Sequence, residues 1–124
     1  MCIRDRGVCP DRQCIGWKPC PNLEVSHSDY VALLKKLRQL PGIKKVFVRS
    51  GVRYDYVMYD KDDAFLRELI GHHISGQLKV APEHVDSRVL ELMGKPDCQL
   101  YDRFVQRYQS LNKQMGKDQY IRCV

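Results

Sequence analysis

Between residues 26 and 40 the apolar side chains Tyr30, Val31, Leu33, Leu34, Leu37 and Leu40 recur at helical spacing. Ser26 or Ser28 offers an N-cap and Pro41-Gly42 a stop, so a helix is predicted there. The pattern then changes period. Val46-Phe47-Val48 is a short β-branched and aromatic run between Pro41-Gly42 and Ser50-Gly51, which predicts a buried strand over Ile43 to Arg49. Asp60 to Asp63 supplies acidic residues for the start of a second helix, with Phe65, Leu66, Leu69 and Ile70 on one side and Gly71 near its end. A strand over Gln77 to Ala81 follows and is interrupted by Pro82. Asp86 or Ser87 can cap a short helix carrying Val89, Leu90, Leu92 and Met93, which Gly94-Lys95-Pro96 stops. A longer helix carries the stripe Tyr101, Phe104, Val105, Tyr108, Leu111 and Met115, with Gly116 as its natural end, and Gln119 to Val124 begins another strand.

Helices alternate with strands in this order, and connections of this length imply right-handed parallel crossovers. The expected class is therefore α/β, a slice of a barrel or of an open sheet. Two or three parallel strands cannot close a barrel and leave exposed edges, which points to part of a larger enzyme; a small autonomous α/β domain is the alternative. Residues 1–25 read differently from residues 26–124. From Arg4 to Pro21 there are three cysteines, three prolines, two glycines and little periodicity, so this is an irregular segment held by something other than a packed face.

Composition narrows the class. A chain of 124 residues makes one domain at most, and 44% hydrophobic with 29% charged residues excludes a disordered composition. No apolar run is long enough to span a membrane, and Met1 to Pro10 has no stretch like a signal peptide, so a cytoplasmic chain is expected. Six cysteines are too few for a disulfide-stapled scaffold, and three of them crowd into Cys9 to Cys20. A net charge of +6 suits anionic ligands, but both signs are spread along the chain, which argues against nucleic acid as the partner.

Two constellations carry chemistry. Cys9, Cys14 and Cys20, followed by Pro21, form a CxxxxCxxxxxCP arrangement with His27 seven residues later. Thiolates gathered in an irregular loop suit a soft metal: three with an open position suit an iron–sulfur cluster, and the three with His27 suit zinc. Three unrelated thiols are the plainer alternative. Cys2, Cys98 and Cys123 stand alone. The second constellation is the set of polar residues at strand ends, Arg49, Ser50 and Arg53 after the first strand and Lys79, Glu83 and His84 on and after the second. In parallel α/β folds the carboxyl ends of strands form the ligand face. Lys79 falls within an apolar strand, where a buried ammonium needs a carboxylate or ligand partner. A salt bridge from Lys79 or Lys95 to Glu83 is the structural alternative. The adjacent His72-His73 pair suits a helix end better than a metal, because neighbours on a helix face different ways. Tyr101, Phe104 and Tyr108 sit at core spacing.

These motifs occur in one order: Cys9 to Cys20 with its trailing proline, Pro41-Gly42-Ile43-Lys44-Lys45, Ser50-Gly51-Val52-Arg53-Tyr54-Asp55, Leu78-Lys79-Val80-Ala81-Pro82-Glu83-His84 and Tyr101-Asp102-Arg103-Phe104. Together they resemble the YgiQ family of radical SAM proteins, from about Gly7 to Ile121. The resemblance implies an enzyme of several hundred residues in which a partial (β/α) barrel holds a [4Fe-4S] cluster and S-adenosylmethionine (SAM), cleaved to a 5′-deoxyadenosyl radical that attacks a substrate of unknown identity. The family's CxxxCxxC cluster motif is absent from this chain, so the chain would be a segment of the barrel wall, inactive without the remainder. Met1 to Arg6 and Arg122-Cys123-Val124 depart from the family pattern. By resemblance, Arg49 or Ser50 occupies the strand end that meets the methionyl group of SAM, and Glu83 and Lys95 have the twelve-residue spacing of a polar and a basic SAM contact. Lys79 completes the candidate cofactor set, and Cys9, Cys14 and Cys20 are candidate ligands of an auxiliary metal or cluster. Two other readings stand beside this one: a small zinc-binding interaction module using Cys9, Cys14, Cys20 and His27, and a stand-alone α/β domain with no cofactor.

Overall fold

The computed structural model describes residue 9 and residues 13–124. The departure at Met1 to Arg6 lies outside the described residues, as do Pro10 to Arg12 in the cysteine segment. Five α-helices, a π-helical turn and two strands follow one another: α1 (Ser28–Gln39), α2 (Tyr54–Tyr59), α3 (Ala64–Glu68), the π turn (Leu69–His73), β1 (Gln77–Val80), α4 (Ser87–Leu92), α5 (Cys98–Gln114) and β2 (Tyr120–Cys123). β1 and β2 are parallel, with Gln77 opposite Tyr120 and Lys79 opposite Arg122. Among the described residues this is a two-stranded sheet, and no helix is long and apolar enough to cross a membrane.

The sheet is sided. Leu78 and Val80 are buried while Gln77 and Lys79 face outward, the two-residue period of a strand with one covered face. The covered face meets the core formed by Leu66, Leu69, Ile70, Phe104, Tyr108 and their neighbours on α3, the π turn and α5. Lys79 is therefore exposed. The expectation of a buried ammonium is overturned because its odd position in β1 places it on the open face, where water solvates it.

The other differences are local. The strand expected over Ile43 to Arg49 is extended chain outside the ladder, with Ile43 and Phe47 exposed. Val48 N donates to His73 O at 2.9 Å, Val52 N donates to Lys79 O at 2.9 Å, and Val46 O takes the His73 imidazole at 2.7 Å, so side-chain and irregular contacts replace a continuous ladder. Helix α2 was not anticipated, because Tyr-Asp-Tyr-Val-Met-Tyr holds aromatic and β-branched residues of modest helix propensity. The next helix begins at Ala64, whose amide donates to Asp62 Oδ1 at 2.8 Å. His27, not a serine, occupies the N-cap of α1, and Ser26 Oγ accepts from Ser28 N at 3.3 Å. Asp86 caps α4 as expected, accepting from Arg88 N and Val89 N.

Candidate functional site

Four charged residues meet beyond the carboxyl end of β1. After Val80 the chain passes through Ala81-Pro82 and turns at Glu83, whose φ of 69° is left-handed, a conformation that costs a non-glycine residue free energy and occurs preferentially at functional sites. The turn is closed by His84 N donating to Pro82 O at 2.9 Å. Opposite it, α4 ends in a Schellman motif: Lys95 N donates to Leu90 O at 2.8 Å and Gly94 N to Glu91 O at 3.0 Å, with Gly94 at φ 65°. Pro96 then prevents the helix from continuing. This backbone geometry brings the Lys95 ammonium to 3.1 Å from Glu83 Oε1. Both partners are about 40% exposed, so the pair contributes at most ~1 kcal/mol to stability and is free to exchange partners.

A second pair lines the same cleft. Arg53 grips Asp55 with two hydrogen bonds, Nη2 to Oδ2 at 2.6 Å and Nε to Oδ1 at 3.2 Å, and Asp55 is almost fully buried. Donating to the Asp55 carboxylate holds the Arg53 guanidinium above its usual range, and the guanidinium lies 4.8 Å from the centre of the Tyr56 ring. Tyr54, buried in the wall, has its phenol pushed up to about 12, first by burial and then by the nearby negative charges of Asp55 and Glu83. The cleft encloses about 260 Å³ between Val52–Asp55, Ala81, Glu83, Lys95 and Pro96. It thus offers a carboxylate and an ammonium side by side, flanked by a buffered ion pair and a neutral phenol. That set complements a small zwitterion.

The remaining candidate residues lie elsewhere. Arg49 and Lys79 line a separate hollow of about 450 Å³ on the open face of the sheet. Ser50 borders a third, with His27, Tyr30 and Phe65. The structure therefore brings together Glu83 and Lys95 but separates them from Arg49, Ser50 and Lys79. Asp55 was missed by sequence reasoning; its signal was a carboxylate two residues after an arginine at a strand-to-helix turn.

The cysteine segment leans on the Schellman turn. Ile15 is buried, and a Cβ on Gly16 would lie 2.9 Å from Gly94 O. Cys20 N donates to Cys14 O at 2.9 Å, closing the loop, with Cys9 exposed and Cys14 and Cys20 half-buried. Among the described residues no three His, Cys, Asp or Glu side chains lie close enough to hold a metal. His27 is engaged elsewhere, with Nδ1 2.7 Å from Asp60 Oδ2 and its ring stacked 4.4 Å from Phe65. Among the described residues this arrangement therefore gathers no ligand set for a [4Fe-4S] cluster or a zinc ion. The other histidine pair is divided: His72 is exposed, while His73 is buried between Val46 O and Glu68.

The described residues thus form a sided two-stranded parallel sheet with an ionic cleft beyond the carboxyl end of β1. Comparison with known proteins adds relatives: the chain is 54% identical over 117 residues to a UPF0313 protein of Clostridium botulinum (strain 657 / Type Ba4), covering 94% of this chain and 18% of that protein. It is 55% identical over 115 residues to a UPF0313 protein of Clostridium botulinum strain Okra, covering 93% and 18%, and 53% identical over 115 residues to one of Clostridium perfringens strain SM101, covering 93% and 17%. The chain thus spans less than a fifth of the length of the curated relatives it matches. No family model matches the chain. No solved structure matches it either.

Proposed function

We propose that this chain is a wall segment of a partial (β/α) barrel in a radical SAM enzyme, and that the cleft between Glu83 and Lys95 receives the amino-acid end of SAM. The observation that carries this reading is the Glu83–Lys95 pair, held 3.1 Å apart beyond the carboxyl end of β1 by a left-handed turn on one side and a Schellman turn on the other. Lys95 would take the cofactor carboxylate, and Glu83 its ammonium or a ribose hydroxyl. Arg53 and Asp55 neutralise each other beside them, so the cleft keeps its charge balance when the Glu83–Lys95 pair opens. Supporting it are the motif resemblance and the long UPF0313 relatives, whose names state no chemistry.

Bound SAM supplies, on one-electron reduction, a carbon radical able to abstract hydrogen from a substrate. The cluster that delivers the electron requires ligands this chain does not contain. What these residues do is orient: Lys95 and Glu83 fix one end of the ligand, and Tyr54 presents a phenol that stays protonated at neutral pH. The enzyme of this reading works in the reducing cytoplasm. Titration of the isotopically labelled chain with SAM tests the assignment. Saturable shifts of the amides from Glu83 to Lys95, weakened about tenfold by Lys95→Gln, are expected; shifts confined to other regions, or none, would sink it.

A further inference from the structure

The open face of the sheet carries cations that no acidic side chain balances among the described residues. In the hollow of about 450 Å³ beside β1, Arg49, Lys79 and Arg122 supply cations, Ser75 and Gln77 supply hydrogen-bonding groups, and among the described residues the lining contains no carboxylate. Neither Arg49 nor Lys79 has an acidic partner within 4.0 Å among the described residues. Lys79 and Arg122 also stand directly opposite each other in the parallel register. Like charges at facing positions on one side of a sheet destabilise the pairing. Elsewhere in the fold cations that face a cleft or the core do have partners, Arg38 with Glu68, Arg53 with Asp55 and Lys95 with Glu83.

We infer that this hollow is an oxyanion subsite, in which Arg49 and Lys79 hold a carboxylate or phosphate group of a ligand other than SAM. An anion between the two adds two attractions that offset their mutual repulsion, and it accepts charge-assisted hydrogen bonds from both. The guanidinium offers a planar fork and the ammonium a point charge, a combination suited to a tetrahedral or a trigonal oxyanion. Arg49 reaches the hollow from the extended chain after Val48, whose amide is anchored on His73 O, and Lys79 reaches it from β1, whose opposite face is locked into the core by Leu78 and Val80. Both donors therefore stand on fixed backbone. Arg122 strengthens the field, but the site rests on Arg49 and Lys79, since residues 122–124 depart from the family pattern. The Glu83–Lys95 cleft has its own charge balance and shares no lining residue with this hollow. The subsite thus goes beyond the cofactor reading and does not depend on it.

The test is an amide-shift titration of the full chain at constant ionic strength with inorganic phosphate, and in parallel with succinate. Saturable shifts at Gly76 to Lys79 with either anion are expected, and the anion that saturates first identifies the chemistry of the group. Lys79→Gln and Arg49→Gln should each weaken that binding about five- to tenfold, while Lys113→Gln, the same charge loss on an exposed position of α5, should leave it unchanged. Unsaturable shifts in the unaltered chain, or equal weakening by Lys113→Gln, would reduce the effect to general attraction and overturn the subsite. Competition by SAM for these same amides would return Arg49 and Lys79 to the cofactor and also overturn it. Failure of SAM to bind at Glu83–Lys95 leaves the anion result standing, so the two readings fail separately.

Discussion

At the scale of single residues, the largely buried chain Arg38–Glu68–His73 links three separate parts of this segment. Glu68 Oε1 accepts from Arg38 Nε at 2.8 Å and lies 3.2 Å from His73 Nε2, while His73 Nδ1 reaches Val46 O at 2.7 Å. One histidine thereby ties the π turn to the extended segment before it. Burial raises the Glu68 carboxyl, but hydrogen bonds from Arg38 and His73 outweigh it and hold the group below its ordinary 4.5. A carboxyl depressed in the folded state stabilises the fold above its unfolded value, and that stabilisation is lost as pH falls through the folded value. Urea midpoints should therefore drop on acidification below about pH 4.5. Glu68→Gln should cost ~1–3 kcal/mol at neutral pH, because it strips the anion from the buried His73 and the half-buried Arg38, and should flatten the acid dependence. An unchanged acid slope in the variant would show that other carboxyls carry it.

At the scale of elements, α4 and its turn show which features the sequence makes legible. Asp86 and Gly94-Lys95-Pro96 are local signals, readable because capping and stopping depend on a few adjacent residues, and both act as expected. β1 and α5 were legible from their periods. The strand over Ile43 to Arg49 was not, since a β-branched run shows a preference for extended chain but not whether partners stand on both sides of it. Nor was the burial of Asp55, which depends on Arg53 folding back over two residues. A salt bridge from Lys95 to Glu83 was one of two structural alternatives, the other using Lys79, and the joint role of Glu83 and Lys95 was only what the resemblance implies; Lys79 was misread because the covered face of a four-residue strand is decided by what packs on it. The Schellman turn yields a prediction. Gly94→Ala and Gly116→Ala both force a side chain into left-handed backbone, at φ 65° and 64°, so each should lower stability by ~1–2 kcal/mol in urea unfolding. Only Gly94 positions Lys95. SAM titration should therefore weaken for Gly94→Ala and not for Gly116→Ala; equal weakening would mean that the turn merely stabilises.

At the scale of the whole molecule, the two-stranded sheet of the described residues has an open edge. Tyr120 N and Val124 N donate to Gly76 O and Val80 O, so by the alternation of a parallel ladder the amides of Ile121 and Cys123 point away from β1. Among the described residues nothing pairs with that side. An unpaired strand edge is a template for another strand, and in the much longer UPF0313 relatives the continuing chain is available to provide one. The isolated 124-residue chain should then self-associate through β2, with its sedimentation-derived mass rising with concentration under reducing conditions. Cys123→Pro removes one outward donor without taking a hydrogen bond from β1, and should move the chain toward monomer. A chain that stays monomeric and unfolds cooperatively at every concentration would instead support the stand-alone α/β domain. The edge and the open face make the same physical demand from two directions: among the described residues no strand pairs with the outer side of β2, and no acidic side chain faces the cations of Arg49 and Lys79. A barrel wall would meet the first with its next strand and the second with whatever ligand enters the enclosed space.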